Sequence, residues 1–247
     1  CMAESIFLFH CLLFMVAFLY ASVGHGGASG YLALMALFGI APEVMKPTAL
    51  LLNLFVSLTS FLQFYRGKHF FWHIFWPFAL ASVPLSFVGG MIKVDGVVYK
   101  QILGLLLLIP VARFLFFSKI MVTYRRNSNI WLSLAIGAII GFLSGLIGIG
   151  GGIILSPILL LLAWTDQKQT AAISALFIFV NSLAGLAGQL TQGVHFSADM
   201  ISFVAVAFAG GMFGAWMGAL RFGQIVLKQA LALVLLVAAV KLLFANA

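Results

Sequence analysis

The sequence predicts an all-α polytopic membrane protein built from two inverted repeats, each a glycine-broken helical hairpin followed by three transmembrane helices. Three observations support this fold class. The 247-residue chain is 64% hydrophobic and only 7% charged, with a mean hydropathy of +1.20. Its apolar segments approach or exceed the ~20 residues that span a bilayer. A glycine-rich interruption occurs twice, once in each half of the chain.

The glycine-rich interruption of the second half lies in residues 141–157, which read GFLSGLIGIGGGIILSP. Gly148, Gly150, Gly151 and Gly152 fall within five positions of this otherwise apolar segment. Glycine lowers the stability of a helix interior and allows positive φ, so the cluster predicts unwound backbone between two helical arms. Non-helical backbone inside a membrane is tolerated only where it is buried in protein or lines a cavity. The break therefore predicts a binding site.

The interruption of the first half aligns with this one at an offset of 124 positions. Residues 18–30 read FLYASVGHGGASG, which places Gly24, Gly26 and Gly27 opposite three of the later glycines and His25 opposite Ile149. KPTA at 46–49 also recurs as KQTA at 168–171. These matches predict an internal duplication. Small residues with the spacing that favours close helix packing recur as well, namely Ser82, Ser86 and Gly90, then Gly210, Gly214 and Gly218.

The predicted elements follow in order along both halves. The first repeat, 1–118, contains a broken unit at 5–40, a turn at 41–46 and spans at 47–65, 70–92 and 97–117, with Pro47 suited to a first helical turn. The aromatic residues near 70–76 are typical of a membrane interface. A polar connection at 119–129 separates the halves. The second repeat, 130–247, contains a broken unit at 130–163 and spans at 170–190, 198–220 and 225–244.

The distribution of Lys and Arg orients these spans. If each broken unit is a V that returns to its starting side, the halves are inverted and the connections carry four basic residues on one side and eight on the other. If each unit crosses once, the halves are parallel and the division is six against six. Cytoplasmic loops collect basic residues, so the V is favoured, with both termini outside the cytoplasm. The eight are Arg66, Lys68, Lys119, Arg125, Arg126, Lys168, Arg221 and Lys228; the four are Lys46, Lys93, Lys100 and Lys241.

The expected partners are a small anionic substrate and the lipid bilayer. Broken helices in a duplicated membrane protein suggest a transporter, and helix N-termini beyond the breaks offer N–H groups and partial positive charge to an anion. A cation site would need several carboxylates, but the five acidic residues all lie near predicted ends or turns, so no metal or cofactor is expected. The net charge of +8 is explained by topology, so no nucleic-acid partner is expected. Monomer and homodimer both stay open.

The expected substrate contacts are the glycines of both breaks and a few polar residues in the spans. An amide in lipid costs free energy unless it finds a partner, which favours Asn53 and Asn181, although hydrogen bonding between helices explains them equally well. Ser and Thr can instead bond to their own helix. His25 can accept, donate or titrate, which suggests substrate contact or proton coupling. The full set is Gly24, His25, Gly26, Gly27, Thr48, Asn53, Gly148, Gly150, Gly151, Gly152, Ser174, Asn181 and Ser182.

The paired breaks, GHGGASG at 24–30 and GIGGG at 148–152, resemble the sulfite exporter TauE/SafE family of permeases. TAAISALFIFVNSLAG at 170–185 and AGGMFGAWMG at 209–218 are also similar to that family, whereas Lys46, Pro47, Thr48 and Asn53 depart from its more usual run of small residues. The resemblance implies transport of sulfite, sulfonates or sulfoacetate across the bacterial inner membrane.

Other functions stay open beside this one. A passive anion channel and a transporter of small carboxylates would share the helix dipoles, and a structural subunit would need no substrate contacts at all. An enzyme is not predicted, because the sequence contains no Walker-type phosphate loop and no cluster of Cys and His with metal-ligand spacing.

Overall fold

The computed structural model describes residues 2–22, 27–116, 126–194, 198–218 and 224–244. Within these ranges the chain forms ten α-helices and no β-strand, so the all-α class is confirmed. Among the described residues, five helical segments are long and apolar enough to cross a membrane, namely Pro42–Arg66, Trp72–Met91, Gly96–Arg113, Ile130–Ile147 and Gln167–Leu190. The helices are α1 Met2–Ser22, α2 Ala28–Leu37, α3 Pro42–Arg66, α4 Trp72–Met91, α5 Gly96–Phe116, α6 Ile130–Ile147, α7 Gly152–Leu161, α8 Gln167–Leu190, α9 Ala198–Gly218 and α10 Gln224–Phe244.

The start of α3 differs from the predicted one. Helix begins at Pro42, so the turn expected over 41–46 and a first helical turn at Pro47 are both wrong. Ala41 is extended and Pro42 takes the first helical position, where a missing N–H costs nothing. Pro47 lies inside the helix. Two prolines five positions apart both fit a helix start, and the pattern alone favoured the wrong one.

The start of α8 also lies earlier than predicted, at Gln167 rather than at Thr170. Asp166 caps it: its carboxylate accepts from the N–H of Gln169, and the Gln169 side chain accepts from the N–H of Asp166. Such a capping box satisfies N–H groups that have no partner within the helix. The cap fixes where the most buried of the five membrane-crossing helices begins.

Helices of one half of the chain pack mainly on helices of the other. In the second half, α6 and α8 pack against α4, and α9 packs against α1 and α3. The pairs α3 with α8 and α5 with α10 also cross between the halves. The short helices follow the same rule, since α2 contacts α10 and α7 contacts α5. The two halves therefore share one interior.

Small residues allow the closest of these contacts. A Cβ added at Gly141 or Gly145 of α6 would overlap the carbonyl groups of Ser82 or Ser86 on α4. A Cβ at Gly210 or Gly214 of α9 would likewise overlap the backbone of α1 at Phe14 and Phe18. The packing role predicted for Ser82, Ser86, Gly210 and Gly214 is confirmed, and Gly141 and Gly145 add to it. Close backbone approach is the usual way in which membrane helices associate.

Candidate functional site

The backbone between α6 and α7 is unwound. Gly148, Gly150 and Gly151 have φ of +88°, +75° and +74°, which is the left-handed region that side chains disfavour. We call residues 148–151 the second hinge. The helix break predicted for the second half of the chain is confirmed at these residues. In the first half, Gly27 has φ of +70° and precedes α2 directly, and we call it the first hinge; Gly24, His25 and Gly26 lie outside the described residues.

Buried contacts from other helices hold the second hinge in place. The Tyr99 hydroxyl of α5 donates to the carbonyl of Ile147 at 2.8 Å, and Gly148 N–H donates to the carbonyl of Ser144 at 2.8 Å. Both bonds satisfy carbonyls that the end of α6 would otherwise leave unpaired. A Cβ at Gly148 would lie 3.0 Å from the Lys46 carbonyl oxygen on α3. The hinge therefore runs directly against α3.

The N-termini of α2 and α7 meet at one small cavity. Neither helix has a side-chain cap, and the first N–H groups of a helix have no acceptor within it. The cavity has a volume of about 20 Å³, which is room for one water molecule. It therefore brings two sets of uncapped N–H groups together inside the protein. Its walls are Gly27, Ala28 and Ser29, then Ile149, Gly152, Ile153 and Ser156, and Ser174, Ala175 and Ile178 of α8.

Serine hydroxyls connect the walls of this cavity. The hydroxyls of Ser156 and Ser174 lie 2.8 Å apart, and Ser156 also donates to the carbonyl of Gly152 at 2.6 Å. On the other wall, the hydroxyls of Ser29 and Tyr20 lie 2.8 Å apart. We did not predict Ser29, Ser156 or Tyr20 from the sequence. Ser29 and Ser156 both stand within the glycine-rich stretches, and this position was the signal that could have identified them.

A second group of predicted residues converges where α3 crosses α8. Asn53 donates from Nδ2 to the hydroxyl of Ser182 at 3.3 Å, and a Cβ at Gly150 would lie 2.7 Å from the same Nδ2 and 3.2 Å from Ser182 Oγ. Asn53 is fully buried, and its Oδ1 has no hydrogen-bond partner among the described residues. An unpaired buried carbonyl oxygen costs free energy and in native proteins calls for an explanation. Asn53 thus keeps one polar atom free beside the hinge.

Two further predicted residues form hydrogen bonds within their own helices. Thr48 donates to the carbonyl of Val44, and Asn181 donates to the carbonyl of Phe177 at 2.8 Å, each within its own helix. Asn181 Oδ1 is buried without a partner in the described structure. The structure therefore brings Gly27, Gly152 and Ser174 to the cavity, and Gly150, Asn53 and Ser182 together beside it. Substrate contact by any of them stays a prediction.

A larger cavity, of about 420 Å³, lies next to the second hinge. It opens between the start of α3, the end of α4, the start of α5 and the end of α8, together with the connections at 92–94 and 192–194. Leu146, near the end of α6, forms part of its wall. Its polar side chains are Glu43, Lys46, Lys93, Tyr99, Gln189 and Gln192. Among the residues that the structure describes, no group of three His, Cys, Asp or Glu could hold a metal ion.

Comparisons with known proteins give the family. The sequence pattern of the family described as sulfite exporter TauE/SafE matches residues 9–242. The chain is 36% identical to a probable membrane transporter protein of Sinorhizobium fredii over 235 residues, which are 94% of this chain and 95% of the relative. It is 29% identical to a probable membrane transporter protein of Methanocaldococcus jannaschii over 215 residues, 80% of this chain and 79% of the relative.

The family match covers the glycine hinges and both cavities. No solved protein structure is significantly similar to the chain. The family and the spans together make this a multi-pass membrane transporter and not an enzyme. The chain belongs to the sulfite exporter TauE/SafE family.

Proposed function

We propose that this transporter is a permease that moves a small sulfur-containing anion of the sulfite, sulfonate or sulfoacetate class across the bacterial inner membrane. The observation that carries the proposal is the meeting of two uncapped helix N-termini at one cavity. The class of substrate follows from the family, whose description names sulfite. A transporter of small carboxylates would use the same contacts and is an outcome of the test below.

The physical basis is the electrostatics of helix ends. Each N-terminus carries roughly half a positive charge and donates N–H groups toward the cavity. The N–H groups concerned belong to Ala28 and Ser29 on one wall and to Gly152 and Ile153 on the other. An anion between them gains two favourable dipoles without a buried Lys or Arg. Ser156 and Ser174 line the same cavity, and Ser174 would turn its single hydroxyl proton from Ser156 to the anion, while Gly27, Gly150 and Asn53 shape the surrounding walls.

Alternating access is the transport mode that we propose. A cavity of about 20 Å³ admits a water molecule but not a sulfur oxyanion, so the hinge site must widen to bind substrate. The cavity of about 420 Å³ next to the second hinge gives the direction from which it would open. The repeats are 1–118 and 130–247, with 119–129 as the connection, and because they share one interior, groups of helices drawn from both would move together to expose the site to each side in turn.

Two features support inverted repeats. The starts of α3 and α5 and the ends of α4 and α8 share one cavity, which requires odd-numbered and even-numbered helices to alternate in direction around it. Lys241 of α10 also donates to the carbonyl of Leu37 at 2.7 Å, so the end of α10 lies beside the end of α2. The V-shaped topology puts all these ends on one side, outside the cytoplasm, with both termini.

His25 gives the proposal its coupling step. Its position within the first glycine break would let a proton bind beside the anion, because imidazole titrates near neutral pH. We expect His25→Ala to flatten the pH dependence of uptake into liposomes. A pH profile that matches the wild type would remove proton coupling and leave the anion site untouched.

The anion site can be tested with a variant that places a carboxylate in the small cavity. Ser174→Asp would place a negative charge between the two N-termini, where it competes with substrate, and Ser174→Asn is its neutral, isosteric control. We expect sulfite, sulfoacetate or a simple sulfonate to raise the thermal stability of the wild type and of Ser174→Asn, but not of Ser174→Asp.

Uptake into liposomes completes this test. Saturable flux of the anion that stabilises the protein supports a permease, whereas flux that rises linearly with concentration indicates a channel. If acetate or lactate raises the thermal stability of the protein and the sulfur anions do not, the substrate is a small carboxylate and not a sulfur anion. An equal thermal shift for Ser174→Asp and Ser174→Asn would show that the anion binds elsewhere.

A further inference from the structure

We propose that the cavity of about 420 Å³ is a second anion site, in which Lys46 and Gln189 bind the substrate before it reaches the glycine hinges. This inference rests on the proposed function, because it assigns a further binding step to the same anion. The cavity is roughly twenty times the volume of the one at the hinges and accommodates an organic sulfonate. Lys46 belongs to α3 and Gln189 belongs to α8.

Lys46 is a half-buried cation with weak partners. Its Nζ donates to the carbonyls of Gly89, Gly90 and Ile92 at 3.4, 3.3 and 3.3 Å, all longer than the usual 2.9–3.0 Å. These carbonyls belong to the end of α4, where the helix carries partial negative charge. No ion pair to Lys46 is present among the described residues. An anion in the cavity would offer the ammonium shorter, charge-assisted bonds in place of three long ones.

Gln189 provides the second observation. Only 3% of this residue is exposed, and both its Nε2 and its Oε1 are buried without a hydrogen-bond partner in the described structure. Leaving both ends of an amide unpaired costs the full desolvation of each group, so such a residue points to an absent partner. Neither amide atom is accessible in this conformation, so a change of rotamer must turn the amide into the cavity that Gln189 lines. Its NH₂ group would donate to an anion oxygen.

The other charges around the cavity favour an anion over a cation. Lys93 and Glu43 are both exposed at the rim, whereas Lys46 lies deeper beside Gly90. The cavity is thus lined by two ammonium groups and one carboxylate, and the carboxylate is in contact with solvent. A cation would need oxygen ligands from several buried carboxylates, and the described walls contain none.

The position of Lys46 connects this site to the second hinge. Its backbone carbonyl oxygen would lie 3.0 Å from a Cβ at Gly148, so α3 touches the hinge at this very residue. Tyr99 and Leu146 line the same cavity, and the Tyr99 hydroxyl holds the last carbonyl of α6. Only the end of α6 therefore separates the cavity from the hinge. An anion held by Lys46 needs little further movement to reach it.

The sequence itself provides a matched control. Lys46 and Lys168 occupy the same place in the duplicated KPTA and KQTA segments, but Lys168 is exposed and does not line the cavity. Lys46→Gln removes the buried charge, Lys46→Arg keeps it, and Lys168→Gln removes a surface charge of the same sign. Each variant is reconstituted at full length, and sulfite and sulfoacetate are the probes.

We expect Lys46→Gln to raise the KM for uptake about tenfold or more, since a charge-assisted hydrogen bond contributes that factor, while kcat changes little. Lys46→Arg should restore KM to within a few-fold, and Lys168→Gln should match the wild type. Gln189→Leu should raise KM by a smaller factor and raise thermal stability without ligand, because it removes an unpaired buried amide.

Three outcomes would overturn the second site. An unchanged KM in Lys46→Gln would exclude substrate contact, and an equal rise in Lys168→Gln would reduce the effect to general attraction by surface charge. A fall in kcat at constant KM would make Lys46 a packing residue of the hinge. Absence of wild-type uptake for every sulfur anion would instead refute the proposed function, so the two failures are distinguishable.

Discussion

Asn53 of α3 and Ser182 of α8 join the two halves of the chain through a buried hydrogen bond of 3.3 Å from Nδ2 to Oγ. Both residues are fully buried, and Gly150 of the second hinge packs against them. In the part of the chain that the structure describes, Asn53 Oδ1 has no hydrogen-bond partner. The unpaired oxygen offsets what the bond contributes to stability. Contact of Asn53 with the substrate and a purely structural role both stay predictions.

The first prediction separates those two roles. Asn53→Leu keeps the number and branching of the side-chain heavy atoms and removes one long hydrogen bond together with one unpaired oxygen, so we expect thermal stability to stay within ~1 kcal/mol of the wild type. Uptake of the anion should fall at least tenfold. Thr59→Val is the control, since Thr59 only donates to the carbonyl of Val56 in its own helix. A large loss of stability with normal uptake would make Asn53 structural.

The second prediction concerns the packing of α6 on α4. Gly145→Ala would force a Cβ into the carbonyl of Ser86, and neither backbone can move without disturbing its other contacts. We expect a destabilisation of about 1–3 kcal/mol or more, seen as a lower Tm in detergent. Gly96→Ala is the control, because the nearest atom to its Cβ would be Pro42 at 3.9 Å. Equal Tm values for the two variants would contradict the close contact.

The third prediction isolates the hinge from simple backbone strain. Gly150→Ala and Gly39→Ala both place a side chain at positive φ, +75° and +73°, at a cost of roughly 1–2 kcal/mol each. A Cβ at Gly39 meets nothing within 4 Å, whereas one at Gly150 lies 2.7 Å from Asn53 Nδ2 and 2.9 Å from Ile178. We therefore expect Gly39→Ala to retain uptake and Gly150→Ala to lose it. Uptake that survives in both would show that the hinge tolerates displacement.

The sequence predicted the parts of the fold that depend on local chemistry. Three glycines among four residues have few uses in a membrane other than unwound backbone, and the structure has positive φ at each of Gly148, Gly150 and Gly151. The start of α3 failed because Pro42 and Pro47 each suit a first turn, and the choice depends on where α2 ends and turns. Local pattern does not contain that information.

The candidate site was less predictable for a related reason. Asn53 and Asn181 were both expected to contact the substrate. Asn53 donates to Ser182 of α8, whereas Asn181 donates to a carbonyl of its own helix. Neighbours distant in sequence decide which of these bonds each asparagine forms. The large cavity combines residues of six helices and two connections, so neither the KPTA segment of Lys46 nor the apolar segment of Gln189 indicates a common cavity. Only the packing of the halves reveals that they share a space.

The fourth prediction tests whether the hinge moves relative to α5. The Tyr99 hydroxyl donates to the Ile147 carbonyl at 2.8 Å in a fully buried setting, and Tyr99→Phe would leave that carbonyl unpaired at a cost of about 1–3 kcal/mol. Tyr65→Phe is the control, because Tyr65 is exposed. If the bond persists through the transport cycle, Tyr99→Phe lowers Tm and leaves KM and kcat unchanged.

Alternating access implies a different result for Tyr99→Phe. If the hinge leaves α5 when the site opens, the bond exists in only one of the two conformations, and its loss shifts the population toward the other. A shift of 1.4 kcal/mol changes that equilibrium tenfold, so KM and kcat should both change. The decrease in Tm should be smaller than the decrease expected if the bond existed in both conformations. We expect this second result, because the cavity at the hinges is too small for the substrate in the conformation that Tyr99 holds.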